Sequence, residues 1–565
     1  MTDLSSVVER ALSLSSADGC VVVVEESTTV NLRWATNTLT TNGSRRERSV
    51  TVISVMGESV GVRSASSVAN LEALVRASEL AAREAGPAED YGPLLAGTQD
   101  ADFTDPAQTT TTAVFSQLAS DLGASFAAGQ ADGLRHFGYA THDVTTTWLG
   151  SSTGLRRRHS QPRGYVEMTA KNNRPGGSSW VGQHTRDWTD LAVPALDTEL
   201  RRRLGWTERY VEIPAGRYET LLPPSAVADL MVYAYWTASG RDTAEGRTVF
   251  SKPGGTRVGE VLAPQGFSLR SDPHHPTLGI RPFTVAGGSS SHVSVFDNGL
   301  ELTATDWVRD GRLDALTQTR SSAAQSGSPL TPYVDNLIVA GRGEQTTEQM
   351  VASTERGLLL TCLWYIRTVD PETLLLTGLT RDGVYLVEGG EVVGTVTNFR
   401  WNESPVDLLG RVTEVGASVP TLPREWSDYF TWTQMPTLRV PVFNMSSVSQ
   451  ASLPGQLVAT VTQTCWCGIP HLGPARVTLV TVVVLSSFLN ACGHSVAGVL
   501  FVSGGTNPES ADATSERQQR DRHGRRHSQV VQRGEGLWVH RPGRRRRRRL
   551  LPLQRDRERG LQDPR

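Results

Sequence analysis

The reading of the fold turns on Cys20-Val21-Val22-Val23-Val24-Glu25 and on Val30-Asn31-Leu32-Arg33-Trp34, which follows it closely. Both runs are rich in β-branched and aromatic residues, whose stiff side chains suit a pleated surface better than a helix, so both are read as strands. Working outward, Val50 to Val55 and Val60 to Arg63 have the same bias, and Met56-Gly57-Glu58-Ser59 between them is short enough for a hairpin turn. Over Ser67 to Ala85 the period changes. Leu71, Leu74, Ser78 and Ala81 recur at three- and four-residue spacing, which predicts an amphipathic helix with a small-residue face. Val114 to Ala128 repeats the helical pattern through Phe115, Leu118 and Leu122, and residues 134–182 return to strand alternation. Residues 1–205 are therefore expected to form an α+β layer domain, a sheet with helices on one face.

A strand-rich second domain is expected over residues 206–452. One helix stands out in it. Pro224 precedes Ser225-Ala226-Val227-Ala228-Asp229-Leu230-Met231-Val232-Tyr233-Ala234-Tyr235-Trp236, and no breaker follows until Gly240. Proline near the start and glycine beyond the end is the normal polarity of a helix. Nearly all its side chains are apolar or small, so it is expected to be buried on most faces.

With 565 residues, 38% of them hydrophobic and 20% charged, the chain can bury more than one core. The net charge of −2 conceals an asymmetry: residues 516–565 hold 17 Arg against 6 acidic residues, a net of +11, whereas the rest holds 39 basic against 52 acidic residues, a net of −13. Lys171 and Lys252 are the only lysines, which is read as coding bias. The five cysteines (Cys20, Cys362, Cys465, Cys467 and Cys492) are too scattered for a disulfide framework, and the N-terminus has no apolar signal region. Both features lead to the expectation of a cytoplasmic location.

From Leu453 the character changes. Residues 477–491 are an apolar run ending in Leu489-Asn490-Ala491-Cys492, which resembles a bacterial lipoprotein signal; about 15 residues is short for a membrane span. Arg-rich, low-complexity sequence follows, including Arg544 to Arg549. Residues 453–565 are expected to be a largely disordered tail, a run-on or mis-joined reading of a neighbouring segment.

Several motifs have a plain reading beside a functional one. Gly57-Glu58-Ser59-Val60-Gly61 fits the G-x-S-x-G nucleophile elbow formally, but a strand rather than a helix follows it, which favours a hairpin. His274 and His275, with Asp272 nearby, and His292, with Asp297, are weak candidates for metal ligands. Adjacent strand residues point to opposite faces, and Pro273 and Pro276 bracket the pair, so an ordinary loop is the preferred reading. Cys465-Trp466-Cys467 with His471 falls short of the four ligands of a structural zinc site. The arginine run offers phosphate contacts without a base-reading element, which argues against nucleic acid as a partner. No phosphate-binding loop is present, so no nucleotide is expected.

Longer stretches resemble one known family. They are Glu58-Ser59-Val60-Gly61-Val62-Arg63-Ser64-Ala65-Ser66; Gly240-Arg241 through Gly246-Arg247-Thr248-Val249-Phe250-Ser251; Thr354-Glu355-Arg356-Gly357-Leu358 through Leu376-Thr377-Gly378-Leu379-Thr380-Arg381-Asp382-Gly383 to Asn398-Phe399-Arg400-Trp401-Asn402-Glu403-Ser404-Pro405; and Phe443-Asn444-Met445-Ser446-Ser447-Val448. Together they resemble the TldD/PmbA proteins, also called modulators of DNA gyrase. In that family the resemblance implies two subunit types, a TldD zinc peptidase with a His-Glu-x-x-x-His helix and a C-terminal Cys ligand, and a TldE/PmbA partner lacking them. Catalytic zinc needs three protein ligands, an open water position and a carboxylate base. The position in this chain that matches the metal helix runs from Val232 through Tyr233 to Thr237 and has neither imidazole nor carboxylate, and no His-Glu dipeptide occurs anywhere. Asp428 to Thr433, where the Cys would fall, contains no thiol.

The resemblance thus implies a TldE/PmbA-type subunit with no catalytic residue and no metal ligand of its own. Zinc would be held by its TldD-type partner, and the substrates would be peptide precursors or small unstable proteins. One alternative is a metallopeptidase in its own right, using His274, His275 and His292. Another is a nucleic-acid or membrane-tethered protein acting through its tail.

Overall fold

In the computed structural model, residues 3–449 are described apart from 175 and 342, together with the backbone of Thr462–Gln463 and Leu479–Val480. The valine-rich stretch lies at the centre of a six-stranded antiparallel sheet. Its strands β1 (Gly19–Ala35), β2 (Thr38–Met56), β3 (Ser59–Ala65), β4 (Arg135–Ser151), β5 (Arg156–Lys171) and β6 (Ser178–Thr185) run in the order β3-β2-β1-β4-β5-β6. Alternation along β1 sets its two faces. Val22 and Val24 pack with α1 (Leu4–Leu14) and α2 (Leu71–Glu84), while Val30, Leu32 and Trp34 pack with α3 (Ser116–Ala131) and α4 (Val193–Gly205). Val21 and Val23 face the other way, onto Phe283, Val295 and Phe296. The mixed α+β class and the single helical face agree with the sequence reading. Met56 pairs with Ser59 across a tight turn, so the G-x-S-x-G match is a hairpin.

Helix α2 corrects two details of that reading. It starts at Leu71 rather than Ser67, because the Asn70 side chain accepts from the Ala73 N–H at 3.3 Å and caps the first turn. Its buried positions are Val75, Ser78, Glu79 and Ala82, so the small-residue face lies one position on from Leu74 and Ala81. The reason is close approach to β3. A side chain at Gly61 would come within 2.2 Å of the Ser78 carbonyl oxygen, so only glycine fits beneath this face.

Residues after 205 build two further large sheets. The ten-stranded one runs from the edge strand Leu363–Asp370 through Leu375–Thr380, Phe399–Glu403 and Leu438–Val448 to β8 (Gly216–Leu222). It continues through Arg356–Leu360, Val384–Glu388 and Glu391–Val396 to β7 (Tyr210–Val211), with Glu414–Val415 pairing on Leu438–Val448. A six-stranded sheet has Ser268–Ser271, Asn336–Ala340 and Trp432–Met435 at its middle. Helix α5 (Pro224–Trp236) lies in the apolar core that these two sheets share. Proline opens it, as expected, and Ala226 to Val232 are all buried.

Met1–Gln456 form one compact unit, so the sheets on either side of residue 205 share contacts rather than standing apart. Leu457–Arg565 form a second unit, in which an antiparallel pair joins Thr462–Gln463 to Leu479–Val480. The lipoprotein-like run other than that pair, the Cys465 and Cys467 thiols and the arginine run lie outside the described residues. Cys20 and Cys362 are free thiols buried in the first unit. Among the described residues no helix is long and apolar enough to cross a membrane.

Candidate functional site

Helix α5 is where the sequence reading looks for chemistry, and its exposed turn is filled by side chains. Val232 is fully buried and aliphatic. The Tyr233 hydroxyl lies 2.6 Å from Thr368 Oγ1, and the Thr237 hydroxyl donates to the Ala234 carbonyl at 2.8 Å, closing the helix end. Around them the rings of Tyr233, Trp236 and Trp426 form a cluster, with centroids 5.4 Å apart for Tyr233 and Trp426 and 5.1 Å for Trp236 and Trp426. Edge-on and tilted aromatic contacts of this kind add about 1 kcal/mol each beyond the area they bury. The Trp236 indole donates to the Tyr333 hydroxyl at 3.2 Å, and Tyr235 stacks on Tyr333 from the other side.

Trp426 reaches this face because its segment is tied to the helix. The backbone N–H of Glu425 donates to Asp229 Oδ1 at 2.9 Å, and the Trp426 indole donates to the Asp229 carbonyl at 3.0 Å. The Glu425 carboxylate in turn accepts from the N–H groups of Tyr365 and Ile366, both at 3.0 Å. Residues 424–426 are thereby pinned between α5 and the edge strand Leu363–Asp370. Asp229 is fully buried, and its second carboxyl oxygen has no hydrogen-bond partner. Burial pushes its carboxyl well above the usual range, against the pull of the Glu425 N–H, and the neighbouring Glu425 carboxylate adds to the rise. The sequence reading passed over this residue, although a lone acid in an otherwise apolar helix is a visible signal.

The weaker candidates lie elsewhere. His274 is exposed in a turn, its N–H donating to Asp272 Oδ1 at 3.0 Å. His275 Nδ1 accepts from the Leu278 N–H at 3.2 Å. His292 packs against the end of α5: Nε2 is 3.0 Å from the Trp236 carbonyl and Nδ1 2.8 Å from Thr317 Oγ1. A carbonyl only accepts, so the ring proton sits on Nε2, and Nδ1 faces the Thr317 hydroxyl, which also reaches the Ala238 carbonyl at 3.0 Å. Among the described residues, no group of three or more His, Cys, Asp or Glu side chains is gathered as a metal site would need.

The zinc that this fold implies in a related subunit does not fit here. The matching positions present a methyl pair and two engaged hydroxyls, and the only carboxyl on the helix is fully buried and accepts from a backbone donor. At the other half of the expected centre, Asp428 accepts a short hydrogen bond from the Tyr165 hydroxyl, and Phe430 and Trp432 are buried. No catalytic step is derived through a metal in this chain.

Comparison with known proteins bears on the fold that carries this helix. Residues 215–447 match the model of the PmbA/TldA metallopeptidase C-terminal domain. No curated protein matches the sequence. Among solved structures, TldE from Thermococcus kodakarensis is similar at 14% identity and a TM-score of 0.65, with 78% of this chain and 99% of that one covered. A protein from Thermotoga maritima described as a modulator of a DNA gyrase has 16% identity, a TM-score of 0.65 and the same coverage. A DNA gyrase modulator described from Bacteroides thetaiotaomicron has 13% identity and a TM-score of 0.62, with 79% and 100% covered. At such identities these likenesses speak for the fold alone.

Proposed function

Because this chain belongs to the PmbA/TldD family and is related to its metallopeptidases, we propose that it is the subunit without a metal centre, docking on a TldD-type zinc peptidase. Together the two would enclose the chamber in which flexible peptides are cleaved, with peptide precursors or small unstable proteins as substrates. The observation that carries the reading is the face of α5. Where a peptidase subunit needs imidazoles and a base, Val232 is buried, the hydroxyls of Tyr233 and Thr237 are bonded internally, and the Trp426 ring packs on Tyr233. A helix so filled serves as scaffold.

Zinc content tests the proposal. The purified chain alone is expected to hold no stoichiometric zinc, and its complex with a TldD-type subunit about one zinc per catalytic chain. Stoichiometric zinc in the chain alone would overturn the proposal and direct attention to His274, His275 and His292. Failure of the two chains to co-purify would remove the partner role.

A further inference from the structure

On β5, Val166, Met168 and Ala170 point to the helices, and the alternate residues Tyr165, Glu167, Thr169 and Lys171 point away from them, toward the part of the chain that follows α4. These four line two adjoining cavities. The first, of about 440 Å³, is walled by Tyr139, Tyr165, Trp180 and Trp364, and presents the carboxylates of Glu167 and Asp428. The second, of about 520 Å³, presents Lys171, Arg174 and Arg381. Trp364 lines both cavities, and Arg424 of the first is bonded to Asp382 of the second at 3.1 Å.

Internal pairing leaves the two ends with opposite charge. Arg424 is answered by Asp382 and stacks 4.0 Å from the centre of the Trp364 ring, and Arg174 is paired with Glu208 at 3.2 Å. Arg33 lies over the Tyr139 ring and offsets one of the two carboxylates. Asp428 accepts from the Tyr165 hydroxyl, Arg381 also reaches Asp382 at 3.7 Å and Lys171 lies over the Phe137 ring, so the formal charge left over is negative at Glu167 and Asp428 and positive at Lys171 and Arg381. Glu167 and Lys171 form no salt bridge among the described residues.

Four residues of strand separate Glu167 from Lys171, a span of about 13 Å. An extended peptide covers about 3.3–3.6 Å per residue, so three or four residues fit between the two ends. We propose that this double cavity binds a short extended peptide with free termini, its ammonium group at Glu167 and Asp428 and its carboxylate at Lys171 and Arg381. The aromatic walls would take its side chains with little selectivity. This inference rests on the peptide-handling role proposed above, and it names a product-sized fragment as the ligand.

The test is calorimetric titration of the full chain with tetra-alanine, with its N-acetyl form and with its C-terminal amide. The free peptide is expected to bind, and each cap to weaken binding about tenfold or more, the loss of one charged contact. Lys171→Met should weaken the free peptide by a similar factor and leave the amide unchanged. Equal affinity for free and capped forms, or no binding at millimolar concentrations, overturns the inference. Should K171M fail to fold, Glu167→Gln titrated with the free and N-acetyl peptides puts the same question at the other end. Peptide binding without partner binding would sink the subunit role and keep the cavity; partner binding without peptide binding would do the reverse.

Discussion

Helix α5 and strand β5 are both places where this fold could do chemistry, and the chain treats them in opposite ways. On α5 the hydroxyls of Tyr233 and Thr237 each have a partner inside the molecule, and Trp426 packs on the rings of Tyr233 and Trp236. On β5 the outward-facing Glu167 and Lys171 form no salt bridge with each other and line cavities. The difference separates a site that lacks its ligands from a site that is open. Removing imidazoles from a helix would leave a hole, and a hole in a packed core costs stability unless other side chains fill it. Here the rings of Tyr233, Trp236 and Trp426 occupy that space, in keeping with the scaffold role proposed above.

Putting the ligands back is the severest way to break that comparison. In the double variant Val232→His/Thr237→His, an imidazole would replace a fully buried isopropyl group with no partner for its ring nitrogens. A loss of about 3 kcal/mol in urea unfolding is expected, with zinc content unchanged. A variant of native stability that binds zinc would mean that the face of α5 is open after all.

Trp426→Ala comes next, at about 2 kcal/mol, because it removes the ring that Tyr233 and Trp236 pack on and a hydrogen bond to the Asp229 carbonyl. Thermal unfolding measures it, and a change within error would show that the cluster is surface decoration. The histidines give a smaller contrast. His292→Ala deprives the Trp236 carbonyl of its donor and should cost about 1–2 kcal/mol. His274→Ala, in an exposed turn, should stay within about 0.5 kcal/mol. Equal effects from the two would contradict the different surroundings described for them.

The smallest effect sharpens the account of Asp229. Burial raises its carboxyl well above the usual range in the folded chain, while an unfolded Asp titrates near pH ~4. The folded state therefore keeps a proton that the unfolded state releases, so stability from this group is full below about pH 4 and falls as pH rises toward the folded value. Asp229→Asn removes the titration and keeps an acceptor for the Glu425 N–H. The variant should match the parent at about pH 4 and gain on it steadily toward neutrality. A parent that instead gains relative to D229N as pH rises would show that the carboxylate is charged in the core.

How much of this was readable in advance differs between the two regions. The strands around Val21 to Val24, the hairpin at Gly57, the helix from Pro224 to Trp236 and the absence of ligands at Val232, Tyr233 and Thr237 all follow from the order of residues. The offset of the buried face of α2 did not, because it depends on how closely Gly61 lets the helix approach. Nor did the place of Lys171 in the wall of a cavity, since composition alone reduced it to coding bias.

By itself, then, the sequence determined the elements, the α+β class and the resemblance that identifies the family, since periodicity and motif are properties of neighbours along the chain. Tertiary structure alone decided what covers α5 and what β5 faces. Asp229 meets Glu425 across 196 residues, and Tyr165 meets Asp428 across 263. No local pattern encodes such pairs. They exist because burying the apolar sides of three sheets and one central helix brings those distant segments together, and the polar groups carried along must then find partners or open onto solvent.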